Sequence, residues 1–190
     1  MILLLAVAIG LAAGLVRAWI GKRSYQAPEL NSVWLVVLAV LPQLLAFHIA
    51  STIKLIPDAV ASIILICSQI MLMVFVLANQ DQSGFELLGL GLGLNFLVIV
   101  INGGWMPISP ETVQKILPNA THNAWTVGER LGSTKDIILP IVEIKLEWLS
   151  DRFLLPAFFP WRVAYSIGDI FIAFGAFWML WVQGKPLNRD

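Results

Sequence analysis

The sequence predicts an all-α membrane protein, a polytopic transmembrane helix bundle of about five spans with an outer interfacial cap. Three observations predict it. Of the 190 residues, 58% are hydrophobic and 13% charged, against roughly 25% charge in a soluble domain. The apolar residues come in long runs rather than the one-faced or alternating patterns of soluble elements. Several of these runs approach the roughly 20 residues that a helix needs to cross hydrocarbon. Mean hydropathy is +0.83. One membrane domain, 1–190, is the natural division of a chain this long.

The first run, Ile2–Trp19, has no charge before Arg17 and is followed by Lys22 and Arg23. A cleaved leader needs a basic start, so this run reads as a retained helix. Further runs cover Val33–Ile49, Ala59–Asn79, Phe85–Ile101 and Val163–Val182. Arg17, Lys22 and Arg23 cluster behind the first span and Lys185 and Arg189 behind the last, whereas Lys54 stands alone in the second connection. The positive-inside rule then puts the N-terminus outside and the C-terminus in the cytoplasm of an inner membrane. Arg162, at the outer mouth of the last span, argues the other way.

Segment 102–162 is the one long stretch outside the runs and becomes the extracytoplasmic cap. Ser109-Pro110-Glu111 is a helix start: a hydroxyl N-cap, proline at the first position, an acid in the first turn. That helix should stop before Pro118. Ile137–Leu155 mixes aliphatic, charged and aromatic residues, as an interfacial helix on the outer leaflet does. Asn119-Ala120-Thr121 fits a glycosylation sequon, a pattern common by chance.

Small residues every fourth position, Ala6, Gly10 and Gly14 in the first span and Gly89 and Gly93 in the fourth, mark close helix approaches. Gln43, Gln69 and Asn95 need partners inside the hydrocarbon and read as interhelical glue. Asp169 differs, because an ionisable residue in a span is a functional candidate by default. It and Asn95 lie at similar depth below the outer ends of their spans, and Asn102 shares the face of Asn95. An outward pocket of Asn95, Asn102, Gly103, Gly104, Ser166 and Asp169 is the expectation. Asp151 precedes an apolar stretch that leads back to the bilayer. If it approaches Asp169, the two can share a proton and divide acid and base roles.

Zero net charge argues against nucleic acid as a partner. The bilayer is the expected partner, with other membrane proteins beside it. Cys67 is the single cysteine, His48 and His122 have no second ligand at metal spacing, and no phosphate loop or haem motif occurs; no metal or cofactor is expected.

Asn102-Gly103-Gly104-Trp105-Met106-Pro107-Ile108-Ser109 and Ser166-Ile167-Gly168-Asp169 resemble a bacterial family of small polytopic membrane proteins, domain of unknown function 5317. The likeness covers most of the chain, with a longer segment before Asp151 than the family pattern has. It implies architecture and no activity. A weaker likeness is to lipoprotein signal peptidase. Asn102-Gly103-Gly104, Leu149-Ser150-Asp151 and Tyr165-Ser166-Ile167-Gly168-Asp169 stand where that family has its outer asparagine and two aspartates, though Ser166 replaces an asparagine. Two functions are therefore open: an intramembrane aspartic hydrolase or peptidase using Asp151 and Asp169, or a non-catalytic structural or accessory subunit of a membrane complex.

Overall fold

The computed structural model describes residues 1–49, 55–119, 124–156, 158–159, 161–183 and 185–186. Lys54, His122, Arg189 and part of the Asn119 sequon lie outside the described residues. Within them the chain is mostly helical. Five helices are apolar: α1 (Ile2–Ile20), α2 (Trp34–Phe47), α3 (Asp58–Leu77), α4 (Phe85–Ile101) and α6 (Ile167–Trp181). A short α5, Pro110–Ile116, sits between the fourth and last of these. Each apolar helix falls on one of the predicted runs. The last starts later than expected because Ala164–Tyr165 is extended strand.

By length and composition, α1 and α3 could each cross a membrane. The other three have 14, 17 and 15 residues. At about 1.5 Å per residue they are roughly 21, 26 and 22 Å long, shorter than a hydrocarbon core of roughly 30 Å.

The extensive helix contacts run in a row, α1 on α6, α6 on α4, α4 on α3 and α3 on α2. This row leaves α1 and α2 at its ends. On α1 and α6 the buried faces are made of small residues. Gly10, Gly14 and Ala18 are the buried positions of α1, and Gly168, Ala173, Gly175 and Ala176 those of α6. Large apolar side chains point outward instead, among them Leu4, Ile9, Leu41, Ile63, Leu97 and Phe174.

Glycine sets the tightest approach. A Cβ on Gly91 would overlap the Gly168 carbonyl oxygen and lie 2.7 Å from Ile172 Cγ1, while one on Gly175 would lie 2.6 Å from the Gly84 oxygen. The two antiparallel helices thus touch backbone to backbone at both glycine pairs. Gly89 and Gly93, the positions the sequence favoured, are not these contacts. Gly89 meets a Val76 methyl and Gly93 faces open space. On the other side of α6, a Cβ on Gly10 would lie 2.9 Å from the Phe177 backbone.

The far ends of α1 and α6 are tied together. Arg17 Nη1 donates to the Trp181 carbonyl at 3.1 Å and lies over the Trp181 ring, and Tyr25 donates its hydroxyl to the Leu180 carbonyl at 3.2 Å. These carbonyls belong to the last turn of α6, where the helix has no further N–H to offer them. Beyond, β1 (Arg23–Ser24) pairs antiparallel with β6 (Lys185–Pro186). Asn79, just past α3, exchanges hydrogen bonds with the Asn31 backbone at 2.7 and 2.9 Å and so holds the approach to α2.

The cap is built on strands rather than on the interfacial helix expected for Ile137–Leu155. There β3 (Asp136–Ile138) runs parallel to β2 (Met106–Ile108), and residues 128–131 pair with it from the other side. Only the one-turn 3-10 segments Ile141–Glu143 and Glu147–Leu149 follow. Pro140 and a left-handed Leu146, at φ +54°, break any longer helix. The predicted start at Ser109 is present: its hydroxyl accepts the Thr112 N–H at 3.2 Å, and α5 ends before Pro118.

Arg130 locks the cap to α2 and α3. Its guanidinium lies 5.2 Å from the Phe47 ring centroid and 4.8 Å from that of Trp105. It also donates to the Ala46 carbonyl at the end of α2 and to Asp58 in the first turn of α3. Asp58 is 69% exposed, so that ion pair contributes at most about 1 kcal/mol. Two desolvated ring contacts, at about 2 kcal/mol each, outweigh it.

Gly91→Ala should lower the yield of the purified protein and its unfolding temperature by several degrees, since overpacking costs about 1–3 kcal/mol. Gly93→Ala should be silent. Equal effects of the two changes in a thermal melt would contradict the backbone contact at Gly91.

Candidate functional site

The tight α4–α6 approach carries two polar groups into contact. Asn95 on α4 is buried, and its amide lies against Gly168, where any Cβ would collide with it. Asn95 Nδ2 donates to Asp169 Oδ1 at 2.9 Å, and Asn95 Oδ1 accepts the Ser166 hydroxyl at 2.8 Å. Ser166 is the N-cap of α6. Its Oγ accepts from the Asp169 N–H at 3.0 Å, while Asp169 Oδ2 accepts from the Ser166 N–H at 3.1 Å. This is a reciprocal capping box with an acid at its third position. Both Asp169 oxygens therefore have donors.

Asn102 goes elsewhere. Its amide exchanges two hydrogen bonds with the Lys145 backbone, at 2.9 and 3.0 Å, and also donates to the Val98 carbonyl at 2.8 Å. It clamps the cap to the end of α4 and has no bond to Asp169. Gly103 and Gly104 serve the same turn, at φ +77° and +88°, a left-handed backbone that favours glycine. Neither lines a pocket with Asp169.

Asp151 reaches the site from the cap. Its N–H donates to the Pro107 carbonyl at 3.3 Å, beside β2. The next residues form β4 (Phe153–Leu154), which pairs with β5 (Ala164–Tyr165) and returns the chain to Ser166. The Asp151 side chain is buried and paired with Lys135, Nζ to Oδ2 at 2.7 Å. Lys135 also lies 3.5 Å from Asp136 Oδ1. Asp169 is near enough to act electrostatically on both Lys135 and Asp151.

Two carboxyls thus contact one ammonium, and a third, Asp169, acts on it from farther off. Burial, followed by Asp136 and Asp169, pushes the Asp151 carboxyl up to about 8, against the pull of Lys135. Lys135 is held above its ordinary range, because its three acidic neighbours outweigh the burial that disfavours its charge. Oδ1 of Asp151 and Oδ1 of Asp136 are both buried without a hydrogen-bond partner. Chemically the cluster can hold and release one proton. Among the described residues, no group of three or more His, Cys, Asp or Glu is placed to hold a metal ion.

Lys135 and Asp136 were not predicted. Side by side in sequence they read as an exposed ion pair, and nothing local marks them as partners of Asp151. The pairing of β2 with β3 brings them there, and strands this short leave little trace in sequence.

Asp169→Asn replaces an acceptor of two N–H groups by an amide that can accept only one. Loss of the cap bond and an unpaired buried donor together cost about 1–3 kcal/mol. The variant should melt several degrees lower than wild type, and an unchanged melt would refute the capping role. Asp151 gives a pH prediction. The folded state keeps its proton up to about pH 8, whereas the unfolded chain releases it near 3.8. The resulting stability is complete below 3.8, shrinks as pH rises and is gone above about 8. Unfolding temperature should fall between about pH 6 and about pH 8, and Asp151→Asn should flatten that slope.

Comparison with known proteins places these residues in one group. An uncharacterized protein of Thermotoga maritima is 28% identical over 112 residues, a match spanning 58% of this chain and 58% of the relative. No solved structure matches. The likeness to lipoprotein signal peptidase gains no support from these comparisons. Residues 28–181, which hold the whole acid cluster and four of the five apolar helices, match the model of the Family of unknown function (DUF5317), and the chain belongs to that family.

Proposed function

We propose that this chain is a multi-pass membrane protein in which all five apolar helices cross the bilayer, and that it serves as a non-catalytic structural or accessory subunit. One observation carries the membrane reading: α1 and α6 bury only glycine and alanine, and all five apolar helices turn large leucine, isoleucine, valine or phenylalanine side chains outward. In water such a surface would associate without limit; in hydrocarbon it is the ordinary outer face of packed helices. Helices of roughly 21–26 Å are met by local thinning of the bilayer, at a fraction of a kcal/mol per Å. The N-termini of α1 and α6 lie on the cap side, and Arg17, Lys22 and Arg23 on the other. The charge rule puts the second side in the cytoplasm.

The accessory role rests on the commitment of the acids. Asp169 caps its own helix and binds Asn95, and Lys135 holds Asp151. Gly10, Gly14, Gly91, Gly168 and Gly175 are used inside the chain, so a partner helix would dock on the outer faces of α1 and α2. A hydrolase is the second reading. It is favoured by the unpartnered, buried Oδ1 of Asp151 and its raised pKa beside Asp169, a pairing that suits a general acid.

The protein should stay in the membrane pellet after an alkaline carbonate wash. A reporter after Asp190 should report cytoplasm, and one inserted near Ala120 the outside; the reverse of both would overturn the orientation. Complementation of a deletion phenotype by Asp151→Asn at wild-type abundance would support the accessory role. Failure at normal abundance would favour the hydrolase.

A further inference from the structure

The α1–α6 contact changes character along its length. At Gly10 and Gly14 the backbones touch. One to two turns nearer the cap, a groove of about 340 Å³ opens between the same helices. Its walls include Ile2, Ala6, Ile9, Ile170, Ala173 and Phe174, and Leu155 and Tyr165 from the β4–β5 hairpin lie at its cap end. Tyr165, its ring tilted against that of Phe153 at 5.8 Å between centroids, is the one lining residue with a polar side-chain atom. The groove is narrow, apolar, open sideways and continuous with the outward apolar face of α6, where Phe174 is 51% exposed.

At the cap end the chemistry turns cationic. Arg162 stands three residues before Tyr165, exposed and with no ion pair among the described residues. The Arg152 N–H donates to the Tyr165 carbonyl, which brings a second, half-neutralised arginine to the same hairpin. An apolar slot with a cation at its interfacial end fits an amphiphile of opposite charge. We infer that the α1–α6 groove holds one acyl chain of an anionic phospholipid, with the headgroup phosphate at Arg162. The inference rests on the multi-pass reading of the chain. Ala6 and Ala173 leave the room for the chain, and the hairpin blocks its path into the cap. A chain seated there fills the space between α1 and α6 on the cap side of Gly10.

The test uses the full-length protein, solubilised in mild detergent and examined by native mass spectrometry after adding phosphatidylglycerol or phosphatidylcholine with the same acyl chains. Wild type should retain one phosphatidylglycerol and at least severalfold less phosphatidylcholine. Ala6→Leu, which narrows the groove, should lower retention of both lipids severalfold. Arg162→Gln should remove the preference for the anionic lipid and leave the basal retention; it lies on the surface and tests the site without disturbing the helix contact. Equal lipid retention by wild type and Ala6→Leu would show that the groove holds only exchangeable boundary lipid and would overturn the inference. So would a dimer mass that Ala6→Leu abolishes, since the occupant would then be a second copy. If carbonate strips the chain from membranes, the multi-pass reading itself fails; if the chain stays and retains no lipid, only this inference does.

Discussion

The backbone contact between α4 and α6 is the constraint on which the rest depends. Gly84 meets Gly175 and Gly91 meets Gly168, and each pair is seven residues from the next on both helices. Two turns of α-helix separate the contacts, so the helices stay in touch over that length without supercoiling far apart. Between and beyond the glycines, everything polar is arranged by consequence. Asn95 reaches Ser166 and Asp169 because no side chain stands on Gly168. The first turn of α6 is thereby fixed, and with it the β4–β5 hairpin and Asp151 behind it.

Asparagine is the residue that joins these pieces. Asn79 bonds the Asn31 backbone in both directions, Asn102 does so with Lys145, and Asn95 bridges Ser166 and Asp169. A side-chain amide has the donor and acceptor of a peptide group. At a helix end it can therefore pair with an irregular segment as a neighbouring strand would, and leave no buried amide unsatisfied. Gln69 is the exception, with its Oε1 buried and unpartnered. The glue role that the sequence suggested for it finds no donor to that oxygen among the described residues.

Much of the helical frame was legible. Uninterrupted apolar runs mark the five apolar helices, because composition over about 20 residues is a strong signal. Ser109-Pro110-Glu111 marked α5 through local capping chemistry. Asp169 and Asn95 stood out as costly polar groups within apolar runs, and they do meet, but in a helix cap that the sequence reading did not foresee. The remainder was hidden for definite reasons. Which glycines touch depends on helix rotation, and a run apolar on all sides carries no marker of rotation; Gly93 and Gly91 look alike in sequence. The strand pairs of two or three residues in the cap are too short for an alternating pattern. Lys135 and Asp136 reach Asp151 through that pairing alone.

The α1–α6 contact joins the beginning of the chain to its end. The rest of the row, α6, α4, α3 and α2, forms without α1. During synthesis at roughly 5–20 residues per second, the Gly10–Gly14 face of α1 precedes its partner helix by about 150 residues. It therefore waits on the order of ten seconds with its contact surface uncovered. The order of birth thus leaves α1 waiting longest for its helix partner and makes it the helix most open to capture by another copy. Exchange of first helices between neighbouring chains is the characteristic assembly error of such a design.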